Sequence, residues 1–358
     1  MRYALAYAAL ASTVSAHGLV TMIKGDNGVM MPGLGVTDGT PRDCSSNGCG
    51  SQADTSIIRN RDMQQNPLGK TQGGGPVDAA VNVARFMGSS NTSPQNKGAS
   101  GATGQEDDLS GLPAGAAKRH EERKRQLDKL FGGLLGGAGG AGGAGGDKAA
   151  GGAGGAAGGL LGGLGGGGGG GAGGLLGGLT GGGGGTKSNF AAETMVADTA
   201  GTGNSQGLPT SDSNGVVSLV YRQINQDGAG PLSATVDGTS GGKDASAFQN
   251  AEVVKDVPGL GVGGLSLATN TDFPLQVKMP AGMTCDGTIA GVNNACVVRV
   301  RNSAAAGPFG GSAVFTQSAP ARRAAIAYRL RKRMEIAREA VPFTEVDEEE
   351  ELEDEHEE

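Results

Sequence analysis

The chain has 358 residues, a formal net charge of −7, no tryptophan and 3% aromatic residues. Because stacking on sugars or bases requires aromatic rings, this composition counts against a flat aromatic carbohydrate-binding face and against single-stranded nucleic-acid binding. Eleven of the last fourteen residues are acidic, and subtracting them from −7 leaves +4 for the rest. No broad basic surface suited to nucleic acid is therefore expected.

The first sixteen residues have the pattern of a secretory signal peptide. Met1-Arg2 supplies a positive start, an apolar stretch follows, and Val14-Ser15-Ala16 provides a small-residue cleavage site. No stretch approaches the roughly 18 consecutive apolar residues that span a bilayer. We therefore expect a secreted protein, extracellular or at the cell surface, without a transmembrane segment.

Cleavage after Ala16 would make His17 the mature amino terminus. The free amine and an imidazole nitrogen could then bind one copper ion together, as in copper monooxygenases that attack polysaccharides. A second histidine ligand is hard to supply, because His120 and His356 lie in segments that look unstructured. A carboxylate would have to take its place, from Asp26, Asp38, Asp43 or Asp54. The alternative, which we favour, is that His17 merely follows the cleavage site and that no cofactor is bound.

Two blocks, 17–116 and 188–318, have the composition of an ordered protein, and we expect them to form one domain. Between them, 117–187 begins with a charged run and continues into 132–185, which contains 34 glycines. Such a stretch cannot bury enough side chain to fold, so it is expected to be a disordered insertion.

Both blocks show short alternating runs separated by glycine-rich turns, which predict a β-sandwich with long loops. Strands are expected at 19–23, 216–224, 232–237, 275–279 and 296–301, the last with Cys296, Val298 and Val300 on one face. Gly310-Gly311 is predicted to be a turn. A helix is expected at 77–87, with Val77, Ala80, Val81 and Ala84 on one face.

Four cysteines lie in the two blocks, and in an exported protein they suggest two disulfide bonds. The local pairs Cys44–Cys49 and Cys285–Cys296 are favoured, since the first closes a turn-rich loop and the second brackets a hairpin-like stretch. Other pairings stay open. A zinc site is less favoured, because neither pair has the C-x-x-C spacing.

After Ser318 a basic helix is predicted from 321 to 340, with Ile326, Leu330, Met334 and Ala337 in one stripe. It is followed by the acidic tail, so 319–358 forms a separate segment. We prefer the interpretation that the two neutralise each other over attachment of the helix to a membrane.

No catalytic residue is assigned. A serine or cysteine hydrolase needs a histidine beside its nucleophile, and His17 is the only histidine in the two blocks. A glycosidase could draw on Asp38, Asp43, Asp54, Asp78, Asp227 or Asp244, but their spacing selects no pair.

Several motifs, in the same order, resemble the fungal appressorial virulence factors, the Egh-like or Gas/Mas-type proteins. The motifs are Gly25-Asp26-Asn27-Gly28, Met31-Pro32-Gly33-Leu34, Asp38-Gly39-Thr40-Pro41-Arg42-Asp43-Cys44, Cys49-Gly50-Ser51-Gln52-Ala53-Asp54-Thr55, Gly75-Pro76-Val77-Asp78, the run from Gln223 to Leu232, and Gly307-Pro308-Phe309-Gly310-Gly311-Ser312. This resemblance implies a secreted protein of a pathogenic fungus, expressed around the infection structure and contributing to host penetration. It transfers no active-site residue.

Two functions follow as hypotheses. The preferred one is a non-catalytic surface or matrix protein that binds a host surface or cell-wall polymer, or associates with itself through the glycine-rich insertion. The other is a copper protein built on His17, acting in copper capture alone or in oxidative attack on polysaccharide.

Overall fold

A computed structural model describes residues 17–96 and 184–340, except 46, 93, 95, 189, 227, 260–265 and 305–306. The predicted leader, residues 117–183 of the predicted insertion, the acidic tail, His120, His356 and Asp227 lie outside the described residues, whereas the end of the insertion is described and contains a short strand, Thr186–Lys187. Within them the protein is mainly antiparallel β-structure, which confirms the predicted fold class.

Thirteen strands are found among the described residues. They are β1 (Gly18–Lys24), β2 (Met30–Pro32), β3 (Ser56–Ile57), β4 (Lys70–Thr71), β5 (Gly75–Pro76), β6 (Thr186–Lys187), β7 (Val216–Gln223), β8 (Ser233–Asp237), β9 (Phe248–Lys255), β10 (Thr271–Lys278), β11 (Gly287–Ile289), β12 (Val292–Arg301) and β13 (Phe309–Thr316). The helices are α1 (Ala79–Phe86), α2 (Met195–Asp198), α3 (Thr202–Gln206) and α4 (Ala319–Ala340).

One hydrogen-bonded path connects most strands, in the order β2-β1-β7-β10-β9-β8-β12-β13-β3-β4-β5. Strand β6 joins it on β10, and β11 joins it on β12. Because β9 pairs with β10 on one side and β8 on the other, it connects the two halves of the path. The halves fold over each other, and β1 packs against β13. Strands from both sequence blocks thus share one core.

In strands that face the core on one side only, buried residues alternate with partly exposed ones. In β7 the buried residues Val217, Leu219 and Tyr221 alternate with partly exposed ones, and in β10 Phe273 and Leu275 do the same. Val20, Val298 and Phe315 belong to the same core cluster.

The predicted strand at 296–301 is present in β12, but both of its faces are buried, because Val297 and Arg299 are buried as well as Cys296, Val298 and Val300. The second face is covered by the loop before β4: Arg299 Nη1 donates to the Pro67 carbonyl at 2.6 Å. The guanidinium also lies 4.1 Å from the Phe248 ring centroid. A strand covered on both faces loses the alternating pattern.

Two further expectations need correction. Gly310 and Gly311 lie inside β13 rather than in a turn. The strand needs glycine at Gly311, because a Cβ there would lie 2.7 Å from the Val20 main-chain nitrogen. Helix α1 is present, capped by Asp78, whose Oδ1 accepts from Ala80 N at 2.7 Å. Its core face is formed by Ala79, Val83 and Phe86, whereas Val81 is 41% exposed.

Both favoured disulfide pairs are confirmed, Cys44–Cys49 and Cys285–Cys296. The second joins Cys285, just before β11, to Cys296 in β12, and so closes the β11–β12 hairpin. The hairpin turns at Ala290 and Gly291, which both have positive φ.

Helix α4 is too polar to cross a bilayer, and no other described helix is long enough and apolar enough to do so.

Candidate functional site

His17 lies directly before β1 and is 1% exposed. Its main-chain nitrogen donates to Asn225 Oδ1 at 2.6 Å, and its ring Nδ1 lies 3.3 Å from Asn225 Nδ2. The two nitrogens that would form a copper chelate therefore face the same carboxamide.

The sheet register holds His17 in this place. Gly18 pairs with Gln223 of β7, so the residues that follow β7 come alongside His17. The His17 carbonyl accepts from Ile224 N at 3.0 Å. The imidazole packs on Phe309 with ring centroids 4.7 Å apart and an interplanar angle of 41°. The side chain is thus fixed by packing as well as by hydrogen bonds.

The buried phenol of Tyr221 lies next to Gly18. A Cβ added at Gly18 would collide with the Tyr221 hydroxyl oxygen. Its Oη has no hydrogen-bond partner among the described residues. Burial, together with the charge of Asp256, raises the pKa of Tyr221 above its ordinary value. A neutral hydroxyl oxygen therefore lies beside the residue that follows His17.

Two of the four carboxylates suggested to complete a metal site, Asp38 and Asp54, have other partners. Asp54 pairs with Arg42, and Asp38 Oδ1 accepts from Val196 N at 3.0 Å. Of the carboxylates considered for a glycosidase, Asp78 caps α1, and Asp244 Oδ1 accepts from Ser246 N. The described part of the chain contains no group of three or more His, Cys, Asp and Glu side chains that could hold a metal.

A buried ion network joins the two sequence blocks. Arg42 Nη1 donates to Asp54 Oδ1 at 2.9 Å, and Arg42 Nε donates to Glu193 Oε2 at 2.9 Å. Burial disfavours the charged guanidinium, but Asp54 and then Glu193 outweigh it, so the pKa of Arg42 is raised. Arg222 extends the network by donating to the Arg42 carbonyl and pairing with Asp272 at 3.2 Å.

Sequence reasoning assigned no role to this network. Arg42 and Asp54 lie in two of the motifs that resemble the family, and their place there is the only feature of the sequence that singles them out. Glu193 and Asp272 carry no local sign of their partners. The network has the character of a structural device, since all three members of its core are almost fully buried.

A family model described as Egh16-like virulence factor matches residues 15–310. The chain is also 43% identical over 326 residues to the appressoria-specific virulence factor GAS2 of Pyricularia oryzae, covering 90% of this chain and 91% of that protein. This chain belongs to the Egh16-like family. The appressoria-specific virulence factor GAS1 of the same fungus is 38% identical over 104 residues, covering 29% of this chain and 40% of that protein. No solved structure matches.

The Egh16-like match begins two residues before His17 and ends within β13. It therefore includes Asn225, Tyr221 and Phe309, the buried ion network and both disulfides. Helix α4 lies outside it.

An open cleft of about 250 Å³ forms a second candidate site on this Egh16-like chain. It lies between α1 and the β4–β5 hairpin, and its polar lining includes Thr37, Asn82 and Thr92. Asp78 and Val81 of the same helix region also line it. Hydroxyl and amide groups of this kind can exchange hydrogen bonds with sugar hydroxyls.

Proposed function

We propose that this Egh16-like protein is a secreted virulence factor that acts at host penetration by binding a surface or wall polymer without catalysis. The observation that supports the virulence role most strongly is the relationship to GAS2, which is named an appressoria-specific virulence factor and aligns over 90% of this chain. The two disulfides agree with an oxidising, extracellular location. Self-association through the glycine-rich insertion belongs to the same proposal.

The cleft beside α1 is the surface we assign to the polymer. Its lining combines hydroxyl and amide groups with backbone of Gly74 and Gly75 and with the apolar Val81. Such a surface suits an uncharged, hydroxyl-rich chain, because hydrogen bonds fix its position while small apolar patches contact the sugar ring faces. The shortage of aromatic rings predicts modest affinity for one short chain and stronger retention on an insoluble polymer.

A depletion assay tests this proposal. Full-length protein is mixed with insoluble chitin, glucan or plant cuticle, and the unbound fraction is measured beside soluble sugar release. We expect binding without product release, and binding reduced by Val81→Glu, which puts a charge into the cleft at a partly exposed position. Asn204→Glu on the exposed side of α3 is the matched control. Sugar release above the blank would overturn the non-catalytic proposal, and equal binding by both variants would overturn the cleft.

A second proposal is copper capture at mature His17. The observation that favours it is the common orientation of the main-chain nitrogen and Nδ1 toward Asn225. Amine and imidazole nitrogens suit Cu(II), which when bound supplies one-electron chemistry. Asn225 Oδ1 and the Tyr221 hydroxyl are the nearby oxygens, and the almost complete burial of His17 would require this cluster to open before a metal enters.

A Cu(II) titration tests this second proposal. Copper is added to protein with a native His17 terminus, and binding is followed by calorimetry and electron spin resonance. A control carries one extra residue before His17, and Asn225→Ala removes the amide that both nitrogens face. Stoichiometric binding that the extra residue abolishes would support the copper site. Weak binding, equal in both forms, would refute it without affecting the polymer assay.

A further inference from the structure

Helix α4 is attached to the body only along its first half. Ala321 and Ala325 are buried, and Arg322 Nη1 donates to the Cys285 carbonyl at 2.8 Å. Arg329 Nη2 donates to Thr284 Oγ1 at 2.9 Å. From 330 to 339 every side chain is exposed, so the second half extends away from the sandwich.

The extending half carries a net charge of +2, from four arginine and lysine residues and two glutamates in 330–339. Helix α4 contains seven arginine and lysine residues and two glutamates. Lys332 pairs with Glu335 at 3.5 Å, with both side chains more than half exposed. No ion pair within the described chain involves Arg331, Arg333 or Arg338. Their charges face solvent together.

An apolar stripe runs between these cations. Ile326, Leu330 and Met334 follow each other at four-residue spacing and are 41%, 55% and 58% exposed. Arg331 and Arg338 are seven residues apart and share the face on one side of the stripe, whereas Arg333 lies on the other side. This surface, which we call the α4 outer face, suits an acidic partner with scattered apolar residues.

Such a partner follows in the same chain. Residues 345–358 contain eleven acidic residues, together with Val346 and Leu352. Helix α4 has 22 residues and is about 33 Å long at 1.5 Å per residue. Fourteen extended residues reach about 46 Å at 3.3 Å each, which is enough to run back along the whole helix.

We propose that residues 345–358 dock on the α4 outer face of their own chain and neutralise it. The charges are complementary, and 341–344 is long enough to reverse the chain direction. A short tether gives an effective concentration on the order of millimolar, so at micromolar protein the tail of the same chain outcompetes that of a second copy. Docking would shield the basic helix from anionic surfaces until salt, competition or removal of the tail exposed it.

Carbodiimide cross-linking of the full-length protein tests this proposal, because the reagent joins a lysine amine directly to a carboxylate. Lys332 is the only lysine of α4, so mass spectrometry can follow its products alone. At low salt we expect links from Lys332 to carboxylates of 345–358 within one chain. The link to Glu335, within the helix, serves as the internal reference.

Salt and charge reversal provide the controls. At 1 M salt, where the Debye length is about 3 Å, the tail links should be lost. The triple variant Arg331→Glu, Arg333→Glu, Arg338→Glu should reduce them at least about five-fold at low salt, because like charges then repel the tail. Its matched control, Lys187→Glu, Lys243→Glu, Lys255→Glu, makes the same charge change at exposed positions of the sandwich and should leave the links unchanged.

Three results would overturn the proposal. In the first, the link to Glu335 forms but no tail link appears. In the second, tail links form equally in both triple variants and at both salt concentrations. In the third, a mixture of isotope-labelled and unlabelled protein gives only links between chains, which assigns the α4 outer face to a second copy.

Discussion

Replacing Arg42 by methionine should destabilise the protein more than any surface change. Methionine keeps much of the side-chain length but leaves the carboxylates of Asp54 and Glu193 buried without their cation. Removing one partner of a buried ion pair typically costs about 3–5 kcal/mol, because the remaining charge has lost both water and partner. For a domain of this size we expect a fall in Tm on the order of 10 °C.

The triple variant Arg42→Met, Asp54→Asn, Glu193→Gln separates loss of the ion pair from loss of packing. The two introduced amides keep acceptor oxygens for the main-chain donors of Thr37 and Thr194, while no uncompensated charge remains. The triple variant should therefore recover more than half of the lost stability.

Urea unfolding followed by far-ultraviolet circular dichroism, without reductant, measures these differences in the free energy of unfolding. A cost below about 1 kcal/mol for Arg42→Met would refute the reasoning, since that is the range of exposed ion pairs. A triple variant less stable than the single one would also refute it.

Four further outcomes are expected. Burial alone would raise the pKa of Asp237, but hydrogen bonds from Ser240, Thr239 and Gly242 lower it below its ordinary value; Asp237→Asn should therefore cost about 2–3 kcal/mol at pH 7. That difference should shrink as the pH falls from about 4, where the carboxyl of the unfolded chain is protonated, through the lower pKa of the folded state, and a pH-independent difference in urea unfolding would contradict it. Tyr221→Phe should leave the free energy of unfolding unchanged or higher, because it removes a buried hydroxyl without a partner among the described residues; a loss above about 1 kcal/mol would show that the hydroxyl is bonded. The double variant Cys285→Ser, Cys296→Ser should lower the free energy of unfolding by about 2–4 kcal/mol in the same assay. Adding reductant should lower the stability of the wild type more than that of this variant, which no longer has this disulfide to reduce. Gly311→Ala should cost about 1–3 kcal/mol because its Cβ would press on β1, and an unchanged Tm would show that the two sheets separate easily.

Local patterns predicted the elements that depend on near neighbours. β7 and β10 follow the alternation of their apolar residues, and the local disulfides follow short cysteine spacing. The alternation did not indicate that the loop before β4 also buries the second face of β12. The turn prediction was wrong at Gly311, where a close approach of β1 requires glycine inside a strand.

The candidate site was predicted only in part. The place of His17 after the leader indicates the residue, but two of the carboxylates proposed beside it, Asp38 and Asp54, have other partners, and an amide faces it. Asn225 stands 208 positions away, and no spacing along the chain indicates that contact.

The sequence by itself determined the β-rich class, the basic character of α4 and the family resemblance, and it favoured the disulfide pairs that the structure confirms, because each depends on residue types within short segments. Only the tertiary structure decided which distant groups meet. Arg42 meets Glu193 across 151 positions because strands of both blocks pair in one sheet, and their register carries the loops between them into contact. Hydrophobic burial drives the strands of both blocks to pack together, but the partner that a buried charge meets depends on the register of the strands beside it.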